Sequence, residues 1–328
     1  MRNPSLSLAA FGGPDAVSLT DLSVPEPGTG EVLLRTLVAP VNPADLNVLE
    51  GKYGRLPPLP CVPGTEGIAS VVGLGSGVGA RVKLGDRVVL PLGYGAWRTF
   101  GVAGENDLVV VPKLLDELQA AMVRINPATA WCLLRELVSS DYGWVLQNAG
   151  TSGVGHAVRS LGRQLGVRVV SFVRDPEVAA RLRAAGELVF VDNDESMAEV
   201  RAAAWFEGGA GLALNGVGGE SALRQANLMR VGGTHVTYGA MGRQPLRVPN
   251  GLLIFKNLVF RGFWVSEWYA RVGREQGNLL VSDLLERMAR SDWIPLPVHS
   301  EFEVAAFGDA LQTAQSGARG KVLIRFSR

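Results

Sequence analysis

One stretch near the middle of the chain limits the possible folds more than any other. The apolar segment Trp144–Gln147 is followed by the glycine-rich stretch Asn148–Gly155 (NAGTSGVG) and then by an amphipathic segment that reaches Leu165. This order predicts a buried strand, a tight turn and a helix. Glycines let a backbone approach a pyrophosphate closely, and the start of a helix supplies unpaired N–H donors. The stretch therefore predicts a dinucleotide site, although its spacing, G-x-x-G-x-G, is not the usual G-x-G-x-x-G.

A second glycine-rich stretch, Gly73–Gly79 (GLGSGVG), looks similar but lies in another context. No helical pattern follows it, and glycines also serve simple tight turns. We interpret it as a hairpin turn. The strand before Asn148–Gly155 and the helix after it are what favour a binding loop there over a plain turn.

The two parts of the chain show different patterns. Residues 1–110 contain short strands between glycine and proline turns, Glu31–Ala39 among them, and this predicts a β-rich region. From about Leu114 apolar strands alternate with amphipathic helices, which predicts a parallel sheet built of right-handed crossovers. A long helix is predicted over Gln276–Ala289, and a final strand, Lys321–Phe326, returns to the β-rich region. The predicted strands of the parallel sheet are Gly143–Gln147, Arg168–Val173, Leu188–Val191, Leu212–Asn215 and Gly233–Thr237.

The end of the second strand of this sheet distinguishes between cofactors. NAD sites usually place an acidic residue about 20 residues beyond the glycine-rich turn, where it binds the ribose 2′-hydroxyl. In this chain Arg174 follows the strand directly, and a guanidinium there would pair with the 2′-phosphate of NADPH. Asp175 is the competing candidate, because its carboxylate could bind a ribose hydroxyl, and Arg174 could also be a solvated surface charge. Because Arg174 comes first, the sequence favours NADPH.

Composition narrows the remaining classes of function. A net charge of +1 provides no basic surface for nucleic acid or for an anionic membrane, and no apolar run reaches the ~18 residues of a membrane span. Two cysteines exclude a disulfide scaffold, and the N-terminal residues lack a signal-peptide pattern, so we expect a cytoplasmic protein. We also expect no metal, because the candidate ligands share no ligand spacing. These candidates are Cys61, Cys132, His156, His235 and His299.

The chain resembles the medium-chain dehydrogenase/reductase superfamily over most of its length, in the stretches FGGPDAV, PEPGTGEVLLR, VNPADLN and GDRVV. Zinc-dependent members carry a His in a Gly-His-Glu motif, whereas this chain has Thr65 in GTEG and so resembles the zinc-free, quinone reductase branch. Within that branch the 2-enoyl thioester reductases are the most similar, through LPPLPCVPGTEG, INPATAW, NAGTSGVG, FVRD, VTYGAM and FKNLVFRGFW. Ser152 supports this subgroup, because quinone reductases usually have glycine at that position.

The resemblance implies an α/β fold with two domains. A GroES-like β-rich catalytic domain would comprise residues 1–116 and 270–328. A Rossmann-type domain with a doubly wound parallel sheet would bind NADPH and comprise residues 117–269. The resemblance further implies a homodimer, for which the sheet edge near Val259–Val265 is the candidate interface.

The resemblance also assigns roles to individual residues. Tyr53, in EGKYG, matches the catalytic tyrosine that donates a proton. At the 2′-phosphate site the family often has a second arginine, where this chain has Pro176. The residues that match cofactor-binding positions are Asn126, Thr151, Ser152, Gly153, Val154, Arg174, Asp175, Tyr238, Gly239, Ala240, Met241, Phe263, Trp264, Val265 and Lys321.

These assignments lead to three hypotheses about function. In the first, NADPH adds a hydride at Cβ of a 2-enoyl-CoA or enoyl-acyl-carrier-protein thioester, and Tyr53 supplies the proton, which its neutral phenol can do at about pH 7. In the second, the chain reduces quinones or small enones with NADPH. In the third, it binds NADPH without catalysis. The presence of Tyr53 together with the cofactor motifs argues against the third hypothesis.

Overall fold

The computed structural model describes residues 2–135 and 143–326. The strands, in chain order, are β1 Pro4–Leu8, β2 Val17–Asp21, β3 Glu31–Val41, β4 Ile68–Leu74, β5 Arg87–Val89, β6 Phe100–Gly104, β7 Val109–Val110, β8 Trp144–Gln147, β9 Arg168–Val173, β10 Val189–Val191, β11 Ala210–Asn215, β12 Met229–Thr237, β13 Val259–Gly262, β14 Val298–Glu303 and β15 Lys321–Arg325. The α-helices are α1 Pro43–Leu49, α2 Glu117–Ala120, α3 Asn126–Arg135, α4 Gly153–Leu165, α5 Pro176–Ala184, α6 Asp194–Ala202, α7 Gly219–Asn227, α8 Asn250–Ile254, α9 Val265–Met288 and α10 Phe307–Gln315.

The chain divides into two compact units. The first unit contains Met1–Ile125, Tyr269–Ser291 and Pro295–Arg328, and the second contains Asn126–Trp268 and Asp292–Ile294. Residues 1, 136–142 and 327–328 of the predicted domains lie outside the described residues. The assignment of a catalytic role to residues 1–116 and 270–328, and of a nucleotide-binding role to 117–269, stays a prediction.

The first unit is built, over its described residues, around a seven-stranded sheet in the order β14-β15-β3-β4-β5-β7, with β6 paired to β3. Alternate residues of β3 are buried along most of its length, as expected of a strand with one face on a core. Strand β15 pairs antiparallel with β3, which confirms that the end of the chain returns to the β-rich region. Gly73 and Leu74 are the last residues of β4, and Gly75–Gly79 begin the connection over residues 75–86 to the antiparallel strand β5, so this stretch leads to a strand and not to a helix.

The second unit contains the predicted parallel sheet. Its described strands follow the order β10-β9-β8 on one side and β11-β12-β13 on the other, with parallel pairings throughout. Strand β8 lies beside β11, where the Asn148 N–H donates to the Leu214 carbonyl at 3.2 Å. Both of these central strands are buried along their whole length, as in a sheet covered on both faces. The order reverses between β8 and β11, and in such sheets ligands bind outside the carboxyl ends of the strands at this point.

The long helix differs from its prediction over Gln276–Ala289. Helix α9 begins at Val265 and is interrupted at Gly273, where φ is +77°. A left-handed residue breaks the helical pattern, and glycine adopts that conformation at little cost, so the sequence pattern indicated only the part beyond the break. Charged residues occur along α9. Within the described ranges, no helix is both long and apolar enough to span a membrane.

Candidate active site

The glycine-rich stretch Asn148–Gly155 joins β8 to α4 at the point where the order of the sheet reverses. Gly155 packs so closely on this loop that a Cβ atom there would lie 2.6 Å from the carbonyl oxygen of Ala149. A Cβ atom on Gly150 would lie 2.9 Å from the Cβ of Ser171. Real Cβ atoms do not approach other atoms so closely. The conformation of the loop therefore requires glycine at both positions.

Three neighbouring N–H groups of the loop are available to a ligand. The N–H groups of Thr151, Gly153 and Val154 have no acceptor among the residues that the structure describes. By contrast, the Gly155 N–H donates to the Ser152 hydroxyl, which caps α4, at 3.1 Å. The unpaired groups lie at the positive end of a helix of 13 residues. This arrangement suits an anion such as a pyrophosphate.

A buried network of side chains lies at the start of the loop. The side-chain amide of Asn148 donates to Asn215 Oδ1 and to the Ser221 hydroxyl, both at 2.8 Å. Its Oδ1 accepts from the Gly216 N–H at 2.7 Å. Asn215 in turn donates to the Thr237 hydroxyl at 3.1 Å. The network connects the carboxyl ends of β8, β11 and β12, so it fixes the loop relative to the sheet before a ligand binds.

The same network extends to the carboxyl end of β10. The Ser221 hydroxyl donates to Asp192 Oδ2 at 2.5 Å, and Arg224 Nε donates to Asp192 Oδ1 at 3.0 Å. These residues were not identified from the sequence. A usable signal was the polar residue directly after each apolar strand, since carboxyl ends of neighbouring parallel strands meet at one edge of the sheet.

The structure gives different surroundings to the two candidates for the ribose. Arg174 is the first residue after β9 and is exposed. Asp175 is the N-cap of α5, and its Oδ1 accepts from the N–H groups of Glu177 and Val178 at 2.9 and 3.4 Å. Because this carboxylate stabilises the start of a helix, it is less available to a ribose hydroxyl. Pro176 occupies the first position of α5, where a fixed φ favours the helix.

Tyr238, Gly239, Ala240 and Met241 follow β12 and run beside Gly216. The Tyr238 N–H donates to the Asn215 carbonyl at 3.0 Å, and the Met241 N–H donates to the Gly216 carbonyl at 2.9 Å. The Tyr238 ring is half-buried, and its hydroxyl is buried beside the Ser152 side chain. Burial raises the pKa of the phenol, although the Ser152 side chain opposes this shift. A Cβ atom on Gly216 would lie 2.8 Å from that hydroxyl. The structure therefore brings Tyr238 to the glycine-rich loop.

The remaining predicted cofactor residues of the second unit lie at element ends. Phe263, Trp264 and Val265 follow β13, and the Phe263 N–H donates to the Thr237 carbonyl at 2.9 Å. Asn126 is the first residue of α3 and is buried. The contacts that the sequence predicts between these residues and a cofactor stay predictions.

In the first unit, Tyr53 lies in the loop after α1 and is half-buried. Helix α1 starts with a capping box, in which the side chain of Asn42 caps the helix and Asp45 accepts from the Asn42 N–H at 2.8 Å. The helix ends at Leu49 and is followed after one residue by Gly51, whose φ is +69°. These features fix both ends of the short helix that precedes Tyr53.

Lys321 has a different environment from a surface cofactor ligand. Its side chain is buried within the first unit, and its ammonium donates to Asn42 Oδ1. The Asn42 amide donates to Glu66 Oε1 at 2.9 Å, and the Ile125 N–H donates to Glu66 Oε2 at 2.9 Å. Burial raises the pKa of Glu66 to about 7, although the charge of Lys321 opposes this shift. The contact of Lys321 with a cofactor stays a prediction.

Asp45 completes this cluster. It accepts from the Thr65 N–H at 3.0 Å and from the Thr65 hydroxyl. Burial raises the pKa of Asp45 and lowers the pKa of Lys321, because both charged forms lose solvation. The cluster thus contains two carboxyl groups and one amine, and burial disfavours the charged form of each of them.

Comparison with known proteins identifies relatives over the whole chain. Residues 28–113 match the family described as alcohol dehydrogenase GroES-like domain, and residues 153–276 match the family described as zinc-binding dehydrogenase. The mitochondrial enoyl-[acyl-carrier-protein] reductase of Xenopus tropicalis is 37% identical over 319 residues, which are 93% of this chain and 90% of the relative. The mitochondrial enoyl-[acyl-carrier-protein] reductase of Homo sapiens is 36% identical over 305 residues, 91% of this chain and 81% of the relative.

Solved structures agree with these relatives. The Etr1p complex with NADP and crotonyl-CoA and the mitochondrial Etr1p/Etr2p heterodimer of Candida tropicalis each match with a TM-score of 0.88 and 27% identity, over 99% of this chain and 100% of the other. A NADPH:quinone reductase from Bacillus thuringiensis, described as putative, matches with a TM-score of 0.88 and 25% identity over 100% of both chains. The predicted α/β fold with a GroES-like and a Rossmann-type domain is confirmed.

The prediction of a cytoplasmic location is wrong by this comparison. The relatives from Xenopus tropicalis, Caenorhabditis elegans and Homo sapiens are all named as mitochondrial enzymes. The prediction rested on the low number of cysteines and on the lack of a signal-peptide pattern in the N-terminal residues. That number excludes a disulfide scaffold but does not distinguish one reducing compartment from another.

One matching family is described as zinc-binding dehydrogenase, so the residues of this chain must be compared with the ligands that a zinc ion needs. Zinc sites in proteins use Cys, His and carboxylate ligands. Among the described residues no group of three or more His, Cys, Asp or Glu side chains is arranged for a metal ion. In the first unit Thr65 stands where zinc-dependent members carry His, and its hydroxyl is bound to Asp45. The nearby Glu66 lies in the field of the Lys321 ammonium, which already supplies a positive charge. These residues do not fit a zinc ion.

Proposed function

We propose, on the premise that this chain belongs to the family of the mitochondrial enoyl-[acyl-carrier-protein] reductases, that it reduces the α,β double bond of 2-enoyl thioesters with NADPH. The observation that carries the proposal is the glycine-rich loop at the reversal of the sheet, with its three unpaired N–H groups. The same fold over the full chain in an enzyme solved with NADP and crotonyl-CoA supports it.

The residues of the second unit would hold NADPH in a defined direction. The N–H groups of Thr151, Gly153 and Val154 would bind the pyrophosphate. Arg174 would pair with the 2′-phosphate. The competing candidate, Asp175, is less available to the ribose because it already caps α5. On the nicotinamide side, the proposed contacts are Tyr238, Gly239, Ala240, Met241, Phe263, Trp264 and Val265, with Asn126 as a further ligand. Lys321, which belongs to the first unit, is also proposed as a ligand.

The chemistry requires a hydride, a proton and an environment that favours charge on the thioester oxygen. When bound, NADPH supplies the hydride, which adds at Cβ of the enoyl thioester. Tyr53 then donates its phenolic proton to Cα of the resulting enolate, and solvent restores the proton to Tyr53. The product would be the saturated thioester, because the hydride and the proton would add across the α,β double bond. The protein contributes by positioning the reactants and by donating the proton.

The reaction would proceed without zinc. A metal could polarise the carbonyl of a substrate, but the residues in this region form a closed cluster of Asn42, Asp45, Thr65, Glu66 and Lys321. Their polar groups already bind one another. Addition of a chelator is therefore expected to leave the activity unchanged.

A homodimer is also part of the proposal. Among the described strands β13 is the last of the parallel sheet on its side, and Val259 at its start is half-exposed. The preceding residues Ile254 and Phe255 are 69% and 81% exposed. An unpaired sheet edge beside exposed apolar side chains favours pairing with a second copy across a two-fold axis. A monomer at micromolar concentration in sedimentation experiments would contradict this part.

A quinone or small-enone reductase is the second candidate. The structural match to the Bacillus thuringiensis protein favours it as strongly in TM-score as the match to Etr1p. Ser152 argues for the enoyl thioester, because the quinone branch usually has glycine there. A protein that binds NADPH without catalysis is the third candidate.

One set of assays separates the three candidates. The purified protein is mixed with NADPH and, in separate experiments, with crotonyl-CoA, a longer 2-enoyl-CoA and a series of quinones, and the loss of NADPH absorbance is followed. We expect oxidation with the enoyl thioesters and a large loss of kcat in Tyr53→Phe, which keeps the ring but has no proton to donate. Turnover of quinones alone would favour the second candidate. Binding of NADPH without oxidation by any acceptor would favour the third.

A further inference from the structure

We infer that Arg159 is a positioning residue for the glycine-rich loop and thereby sets the affinity of the protein for the pyrophosphate of its dinucleotide. The inference rests on the proposed function, because it concerns the binding of NADPH. Arg159 lies on α4, after the loop, and is 5% exposed. The sequence predicted no role for Arg159, because an arginine on an amphipathic helix is usually a surface charge.

The guanidinium of Arg159 contacts the backbone of the loop directly. Its Nη1 donates to the Gly150 carbonyl at 2.9 Å, and this hydrogen bond is buried. On the other side, the Gly150 N–H donates to the Phe172 carbonyl at 3.0 Å. Both polar backbone groups of Gly150 are therefore bound within the protein. The residue is held between α4 and β9, and neither group is left for a ligand.

The geometry of the peptide bond connects this contact to the ligand. The Gly150 carbonyl and the Thr151 N–H belong to one planar trans peptide, in which the C=O and N–H vectors point in opposite directions. When Arg159 binds the carbonyl, it also fixes the direction of the Thr151 N–H on the opposite side of the peptide plane. That N–H is one of the three that have no acceptor among the described residues. Arg159 therefore orients a donor that it does not touch.

The buried charge of Arg159 is compensated by specific partners. Its Nε lies 3.0 Å from Glu187 Oε2, and the two side chains are 4% and 12% exposed. Its Nη2 lies 3.0 Å from Nδ1 of His156. Burial and the charge of Arg159 lower the pKa of His156 to about 3, so the ring is neutral and Nδ1 can accept. A guanidinium with several fixed donors can serve these partners together, which a lysine cannot.

Arg163 provides a matched control on the same helix. Its Nη2 lies 3.1 Å from Glu187 Oε1, but its side chain is 50% exposed. It shares the carboxylate with Arg159, and no hydrogen bond joins it to the loop in the described structure. Substitution of Arg163 therefore tests the loss of a cation beside Glu187 without the loss of the Gly150 contact.

The test compares two ligands in three variants. Dissociation constants for NADPH and for adenosine 2′-monophosphate, which has the 2′-phosphate but no pyrophosphate, are measured for the wild type, Arg159→Leu, Arg159→Lys and Arg163→Leu. We expect Arg159→Leu to weaken NADPH about tenfold or more, as for a donor group displaced by a fraction of an ångström. Adenosine 2′-monophosphate should keep its wild-type affinity. Arg163→Leu should change neither, and Arg159→Lys, which keeps the charge and is expected to fold, should show an intermediate loss for NADPH.

The outcomes separate this inference from the proposed function. Unchanged NADPH affinity in Arg159→Lys, or in a folded Arg159→Leu variant, would overturn the inference. Equal losses for both ligands would also overturn it, because they would indicate a general loss of structure. A wild-type protein that does not bind NADPH would instead contradict the proposed function on which the inference rests.

Discussion

The substitution Gly155→Ala adds only one methyl group, yet we expect it to displace the glycine-rich loop. The added Cβ atom would lie 2.6 Å from the Ala149 carbonyl oxygen and 2.7 Å from the Gly150 carbonyl carbon and oxygen, all of them backbone atoms. To restore an ordinary contact of 3.4 Å, the backbone must move by about 0.8 Å. Such a shift displaces the N–H groups of Thr151 and Gly153. We expect NADPH affinity to fall about tenfold to a hundredfold, and the free energy of unfolding to fall by about 1–3 kcal/mol.

Two control variants separate binding from stability. In Gly162→Ala, on the same helix, the new Cβ would lie 2.9 Å from a methyl group of Val169, so the variant is expected to lose stability without a change in the loop. In Gly308→Ala, in α10, no atom lies within 4 Å, and the free energy of unfolding should rise by up to about 1 kcal/mol. Binding is measured by fluorescence titration with NADPH, and stability by denaturant unfolding. Wild-type NADPH affinity in Gly155→Ala would refute the argument that this loop holds the pyrophosphate.

The structure predicts three further outcomes. Asn148→Leu removes the acceptor of the buried Gly216 N–H and one hydrogen bond each from Asn215 and Ser221, which keep their other partners. Denaturant unfolding should therefore show a loss of about 2–4 kcal/mol, and a loss below about 1 kcal/mol would contradict the network. Arg174→Ala should raise the KM for NADPH about tenfold to a hundredfold and leave the KM for NADH unchanged, because only NADPH has the 2′-phosphate, and equal changes would contradict the assignment. Burial raises the pKa of Glu66 in the folded protein to about 7 from 4.5. The stability that its protonated form contributes is therefore complete below about pH 4.5 and is lost as the pH rises through about 7. Glu66→Gln should flatten the dependence of the unfolding free energy on pH in this window, and an unchanged slope would contradict the shift.

Local sequence signals predicted the parts of the site that are close together in the chain. The strand Arg168–Val173 and the loop Asn148–Gly155 were recognisable because their patterns of apolar residues and glycines are confined to a few residues. The cap formed by Asp175 was also accessible, since an acidic residue followed by proline is typical of a helix start. From the sequence, Asp175 was interpreted instead as a possible ribose ligand.

Contacts between distant residues were not accessible in the same way. The partners of Asn148 lie 67 and 73 residues further along the chain, and no local pattern connects them. Lys321 binds Asn42 across 279 residues, so the sequence could not show that its charge is buried. Arg159 was not recognised because the periodicity of an amphipathic helix indicates which face is buried, but not which polar residue is bound there. The site is therefore predictable from sequence at its loop and not in the network that supports it.

The most direct measurement of the proposed function follows the hydride itself. The protein is incubated in ordinary water with crotonyl-CoA and NADPH that carries deuterium at the transferable C4 position, and the butyryl-CoA product is analysed by mass spectrometry and NMR. We expect one deuterium at Cβ and a solvent-derived hydrogen at Cα, with the rate strongly reduced in Tyr53→Phe. Deuterium at Cα, or no oxidation of NADPH with any 2-enoyl thioester, would contradict the assignment of this chain as an enoyl thioester reductase.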